Sequence, residues 1–131
     1  MTPELTALAV AILVHMALIG LFAYRANREI GTKYTTSPRD DAPQRPLSIV
    51  TGRLQRAVSN SFESLIMFAP AALMVGLTHQ SNGWTAFLAW IFVLARIAYI
   101  PAYATGLAPG RSGIWGLGFL ATLLLVIAAL V

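Results

Sequence analysis

Apolar positions in this chain come in long runs, separated by one long polar connection and two short turns. Leu5 to Tyr24, about Val50 or Arg53 to Leu77, Trp84 to Ala104, and Ile114 to Val131 are each dominated by apolar residues. A helix needs about 20 such residues to cross the hydrocarbon of a bilayer. The runs are separated by a polar connection from Arg25 to Ser48, a short turn from Thr78 to Gly83 and a Gly/Pro-rich turn from Thr105 to Ser112. The pattern predicts an all-α membrane protein, a four-helix transmembrane bundle of up-down topology, as one domain over residues 1–131. Its spans are expected at about 5–24, 53–77, 84–104 and 114–131. Pro70 and Pro101 fall inside the second and third spans, where each removes one helical hydrogen bond and predicts a bend.

Two spans break the apolar pattern in a regular way. The second begins with Arg53, Arg56, Asn60 and Glu63, spaced by three, four and three, which places all four on one helical face. The third carries Arg96, Tyr99 and Tyr103, spaced by three and four, again on one face. At about 1.5 Å of rise per residue, Glu63 and Arg96 both lie roughly 13 Å below the surface shared by their helix ends. Antiparallel neighbours can then match rung by rung: Glu63 with Arg96, Asn60 with Tyr99, Arg56 with Tyr103. An unpaired arginine in hydrocarbon costs about 3 kcal/mol or more, so Glu63 and Arg96 are expected to form a structural ion pair. The stripe has two readings at this point. It joins helices and no more, or it lines a site for a small, charged, peptide-like molecule presented to a lipophilic partner.

Composition narrows the chemistry. The 131 residues are 57% hydrophobic and 11% charged, where a soluble domain has about a quarter of its residues charged. There is no cysteine, which excludes disulfides, a protein thiolate nucleophile and cysteine metal sites. The two histidines, His15 and His79, are too far apart in sequence to suggest a metal cluster, and no metal is expected. His15, in the middle of the first span, reads either as a hydrogen-bonding partner of a neighbouring helix or as a proton relay. No basic-aromatic platform suits nucleic acid.

Charge also sets an expected orientation. Seven of the nine Lys and Arg residues (Arg25, Arg28, Lys33, Arg39, Arg45, Arg53 and Arg56) lie in or beside the first connection. Arg111 lies in the third connection and none lies in the second. The positive-inside rule then puts connections one and three in the cytoplasm and both termini outside. The opening Met-Thr-Pro-Glu lacks a basic leader region, so the first run reads as a retained helix. The first connection is either a solvated tether or a flap over a site at the membrane surface.

At these residues the chain resembles the MAPEG family, membrane-associated proteins in eicosanoid and glutathione metabolism. The family motif Arg-x-x-Arg-Ala-x-x-Asn-x-x-Glu is matched by Arg53, Arg56, Ala57, Asn60 and Glu63. Its third-helix arginine, aromatic and tyrosine correspond to Arg96, Tyr99 and Tyr103. The Ser-Pro-Arg-Asp-Asp connection at 37–41 is similar to bacterial members, which implies a bacterial inner membrane.

The resemblance implies a homotrimer that binds glutathione between subunits near the cytoplasmic side. It implies glutathione contacts from Arg56, Asn60, Glu63, Tyr99 and Tyr103, with help from Arg25 or Arg28. The activity it implies is that of a glutathione-dependent transferase or peroxidase acting on lipophilic electrophiles or hydroperoxides, with Arg111 or Tyr103 stabilising the thiolate. Three positions depart from the family pattern: Gly52 stands where many members have Glu, Ser64 where some have Tyr, and Arg111 is out of register with the family's thiolate arginine. A non-catalytic member that keeps the scaffold is the alternative.

Overall fold

The computed structural model describes residues 1–131, and all of its regular structure is helical. Helix α1 spans Pro3–Ile30, the single turn α2 Thr32–Thr35, α3 Ile49–Leu77, α4 Gly83–Ala104 and α5 Ala108–Leu130. Helices α1, α3, α4 and α5 are each long and apolar enough to cross a membrane. The chain is an integral, multi-pass membrane protein with the four-helix architecture that its apolar pattern predicts.

The helix starts follow from local chemistry. The hydroxyl of Thr2 accepts from the Leu5 N–H, with Pro3 in the first turn of α1. Ser48 caps α3 by accepting from the Thr51 N–H. Asn82 and Thr85 form a reciprocal capping box at the start of α4. Gly31, at φ +83°, lets the chain leave α1.

Two boundaries differ most from those expected. Helix α1 continues past Tyr24 to Ile30, because Arg25 to Glu29 are compatible with a helix and the first residue that stops it is Gly31. The connection therefore begins later, and its first part is the turn α2. Helix α5 begins at Ala108 and not at Ile114, since Pro109 suits a first turn and Gly110 and Gly113 are absorbed into the helix. Helix α3 runs as one element through Pro70.

Helices α3 and α4 form the central pair. Each packs on both α1 and α5, while α1 and α5 do not meet. The core beneath this arrangement is built from small residues (Ala7, Ala11, Ala71, Ala72, Ala89) around Phe68 and Phe92, whose rings stack at 3.9 Å. Small residues let helix backbones approach, which is what drives association where lipid is as apolar as the side chains. Gly118 belongs to this set, since a Cβ built on it would lie 3.6 Å from the Ala95 Cβ, whereas a Cβ built on Gly113 or Gly116 would meet nothing within 4 Å. Only 29 of the 131 residues are buried, and Leu13, Met16, Phe87 and Leu94 are more than half exposed, so the outer surface is apolar as lipid requires.

Two polar clasps tie the ends. At one end Glu4, with no exposed surface, accepts from the hydroxyls of Thr85 and Ser81, the latter at 2.8 Å. This joins the start of α1 to the start of α4. At the other end Glu29 accepts from Ser48 N–H and Oγ, both at 2.8 Å, and from Thr51 Oγ1. Arg25 completes that clasp, donating from Nε to Thr51 Oγ1 at 3.0 Å and pairing with Glu29 at 3.7 Å.

Candidate functional site

A cavity of about 440 Å³ opens between α3, α4 and α5, on the side of the central pair away from α1. It is lined by Arg56, Ser59, Asn60 and Glu63 from α3, Tyr99 and Tyr103 from α4, and Arg111, Ser112 and Trp115 from α5. The three-and-four spacing that put Arg56, Asn60 and Glu63 on one face of α3 brings them to this wall. The same spacing on α4 delivers Tyr99 and Tyr103 opposite them. Gathering charged and hydrogen-bonding side chains in an apolar bundle is costly, and such groups mark functional sites by default.

The rungs form in part. Arg56 Nε donates to the Tyr103 hydroxyl at 3.3 Å, as the matched depths predict. Arg111 stands over the same ring, its Cζ 4.5 Å from the centroid, and Tyr99 meets Tyr103 edge to face at 5.5 Å. Tyr103 thus lies between two guanidinium groups. Because its oxygen accepts from Arg56, its own O–H is free to donate elsewhere.

The expected ion pair between Glu63 and Arg96 does not form within the chain. Arg96 Nη2 donates to Asn60 Oδ1 at 3.2 Å, and its Cζ lies 4.3 Å from the Tyr99 ring centroid. The one ion pair is Arg25–Glu29. The reason is azimuth. Residue 63 is rotated about 60° around α3 from residue 60. Arg96 is 5% exposed and points into the bundle, while Glu63 is exposed and borders the cavity. Depth arithmetic along two helices sees the rise and misses this rotation. It also pairs Asn60 with Tyr99, where the observed partner is Arg96.

Arg25 and Arg28 are not brought to the cavity. Both belong to α1, which the central pair separates from α5. Arg25 is engaged in the Glu29–Thr51 clasp, and Arg28 Nη1 donates to Tyr24 at 3.0 Å. Arg111 is brought in, despite its shifted register, because α5 starts six residues earlier than the apolar run suggests. Ser59, Ser112 and Trp115 also line the cavity and were not singled out from the sequence. Ser59 sits three residues from Arg56, and Trp115 four from Arg111, so helical spacing from known members was the signal available. His15 is buried and stacks on Phe62 at 6.1 Å, and its Nδ1 meets no hydrogen-bonding partner in the chain. No group of three or more His, Cys, Asp or Glu is placed to hold a metal ion.

Chemically the wall offers two cations, one carboxylate with no ion pair, and several neutral hydrogen-bonding groups. A family model described as the MAPEG family matches residues 5–131. No curated protein and no solved structure matches the chain.

Proposed function

The chain belongs to the MAPEG family, and from that premise we propose that it is a glutathione-dependent membrane transferase or peroxidase acting on lipophilic electrophiles or hydroperoxides. The observation that carries the reading is the make-up of the α3–α4–α5 cavity. Glutathione has two carboxylates, one ammonium and one thiol. Arg56 and Arg111 supply cations, Glu63 supplies the anion that an ammonium needs, and Ser59, Asn60 and Ser112 supply hydrogen bonds. The cavity volume falls in the range of about 300–1,000 Å³ typical of small-molecule sites.

Binding and orientation are the first task of these residues. The second is to favour the thiolate. Free thiols of the cysteine type have a pKa near 8.5, so little anion is present at neutral pH. Arg111 and the Tyr103 O–H can hold the developing negative charge in a site where surrounding lipid and protein keep the dielectric low. The thiol proton leaves through the mouth of the cavity. The sulfur then donates an electron pair to the electrophilic atom, and the bond that breaks carries its pair away on the leaving atom. Trp115 stacks on Phe119 at 5.3 Å along the lipid-facing side of α5, a surface on which a lipophilic partner can reach the sulfur from the bilayer.

In this reading the cavity faces the cytoplasm at a bacterial inner membrane, with both termini outside. The protein works as a homotrimer, and α1 of a neighbouring subunit brings Arg25 or Arg28 to the open side. A calorimetric titration of the purified protein in detergent tests the binding step. The wild-type protein binds glutathione, and Arg56→Ala abolishes binding by removing the partner of a ligand carboxylate. Absence of binding by the wild type removes the reading, and the polar ladders are then helix-joining contacts only.

A further inference from the structure

Arg96 is a buried cation that the cavity lining does not include. It is 5% exposed, its Nε has no partner, and no carboxylate pairs with it. A buried cation of this kind destabilises a fold unless something compensates, and an apolar side chain of similar volume often serves packing better. Its two contacts both lead to the cavity wall: the hydrogen bond to Asn60 Oδ1 and the cation over the Tyr99 ring.

We infer that Arg96 is a positioning residue, which turns the Asn60 carboxamide so that its NH₂ group faces the cavity and selects a carbonyl or carboxylate oxygen of the ligand. The step rests on the donor inventory. A guanidinium has N–H donors and no acceptor. The Asn60 atom that faces Arg96 must therefore be the oxygen. The planar amide then places Nδ2 on the other side, and Asn60 is one of the residues that line the cavity. No side chain or backbone oxygen of the chain accepts from that NH₂ group, so its two N–H bonds are available to a ligand. Without Arg96 the amide can turn over, and it presents oxygen to an oxygen for part of the time. Placing Arg96 on Tyr99 holds the neighbouring ring in the same way, through the cation over its face.

The inference rests on the cavity being a glutathione site, and its test separates the two. Three variants are compared with the wild type for glutathione affinity by calorimetry and for thermal stability in detergent. Arg96→Met removes the cation and its hydrogen bond. Its affinity falls about tenfold or more, the loss of a hydrogen bond to a charged group, while its melting temperature stays level or rises. Arg96→Lys keeps a donor for Oδ1 and holds affinity within about threefold. Asn60→Asp gives Arg96 the anion it lacks, so the protein melts higher, but the cavity loses its N–H donors and affinity falls about tenfold or more.

A purely structural Arg96 gives the opposite pattern: Arg96→Met binds glutathione as the wild type does, and that result overturns the inference alone. Retained affinity in Asn60→Asp overturns it equally, and this variant decides the binding arm if Arg96→Met does not fold. A wild type that fails to bind glutathione removes the proposed function. The thermal arm still stands in that case, since a melting temperature for Asn60→Asp no higher than wild type shows that Arg96 does not hold an Asn60 oxygen.

Discussion

Gly106 closes the turn after α4 with φ at +76°, and a Cβ built there would lie 2.7 Å from Cζ of Arg53. That guanidinium donates from Nη1 to the Ala104 carbonyl at 3.2 Å, satisfying one of the free acceptors at the helix end. Gly106→Ala is expected to lower stability by about 1–3 kcal/mol, because it forces a left-handed backbone on alanine and displaces a capping cation. The shift in melting temperature in detergent measures it, and Gly106→Asn, which tolerates that backbone better, separates the two causes. At the opposite end, Glu4→Ala leaves the Thr85 and Ser81 hydroxyls without their carboxylate and is expected to cost about 2 kcal/mol on the same assay. Which polar residues gather in one place was legible in the sequence, since Arg56, Asn60, Glu63, Tyr99, Tyr103 and Arg111 all line one cavity. Which of them touch was legible only where depth alone decides, as for Arg56 and Tyr103. Arg96 chose Asn60 over Glu63 because rotation about α3 decides that contact, and a hydropathy pattern carries no such angle.

Among the elements, the four spans follow from apolar runs, and their ends do not. The apolar run places the start of α5 six residues late, because Ala108 to Gly113 resembles a turn in composition, while Pro109 in a first turn starts a helix just as well. That difference is what carries Arg111 into the cavity. The polar residues Arg25, Asn27, Arg28 and Glu29 make the tail of α1 resemble a connection, although polarity says nothing against a helix that has left the membrane. Its last turn gains a purpose from the Glu29 clasp, in which Ser48 and Thr51 at the head of α3 are held by one carboxylate. Glu29→Ala is expected to loosen the whole connection from Gly31 to Leu47. Limited proteolysis checks this, with faster cleavage within that stretch and unchanged cleavage at the Thr78–Asn82 turn.

For the molecule as a whole, the up-down order of the helices puts the 31–48 connection and the 105–107 turn at one end of the bundle, and both termini with the 78–82 turn at the other. The clustering of Lys and Arg around the first connection predicts that the first of these ends is cytoplasmic. The chain has no cysteine, so single cysteines report without background. Cysteines at Ser37 and Ser112 are expected to label from the cytoplasmic side, and one at Ser81 from outside. Labelling of Ser81 from inside would move the cavity to the opposite face of the membrane.

The thiolate of bound glutathione is the most direct measure of the central claim, that the α3–α4–α5 cavity binds this tripeptide and activates its sulfur. A site that lowers the thiol pKa by one unit stabilises the anion by about 1.4 kcal/mol. The measurement is the ultraviolet difference spectrum of the purified protein with glutathione at neutral pH. The predicted result is thiolate absorbance with the wild type, lost in Arg111→Ala while binding persists. Binding without a thiolate signal, and without turnover of a generic electrophile, would contradict it and leave a non-catalytic member of the family.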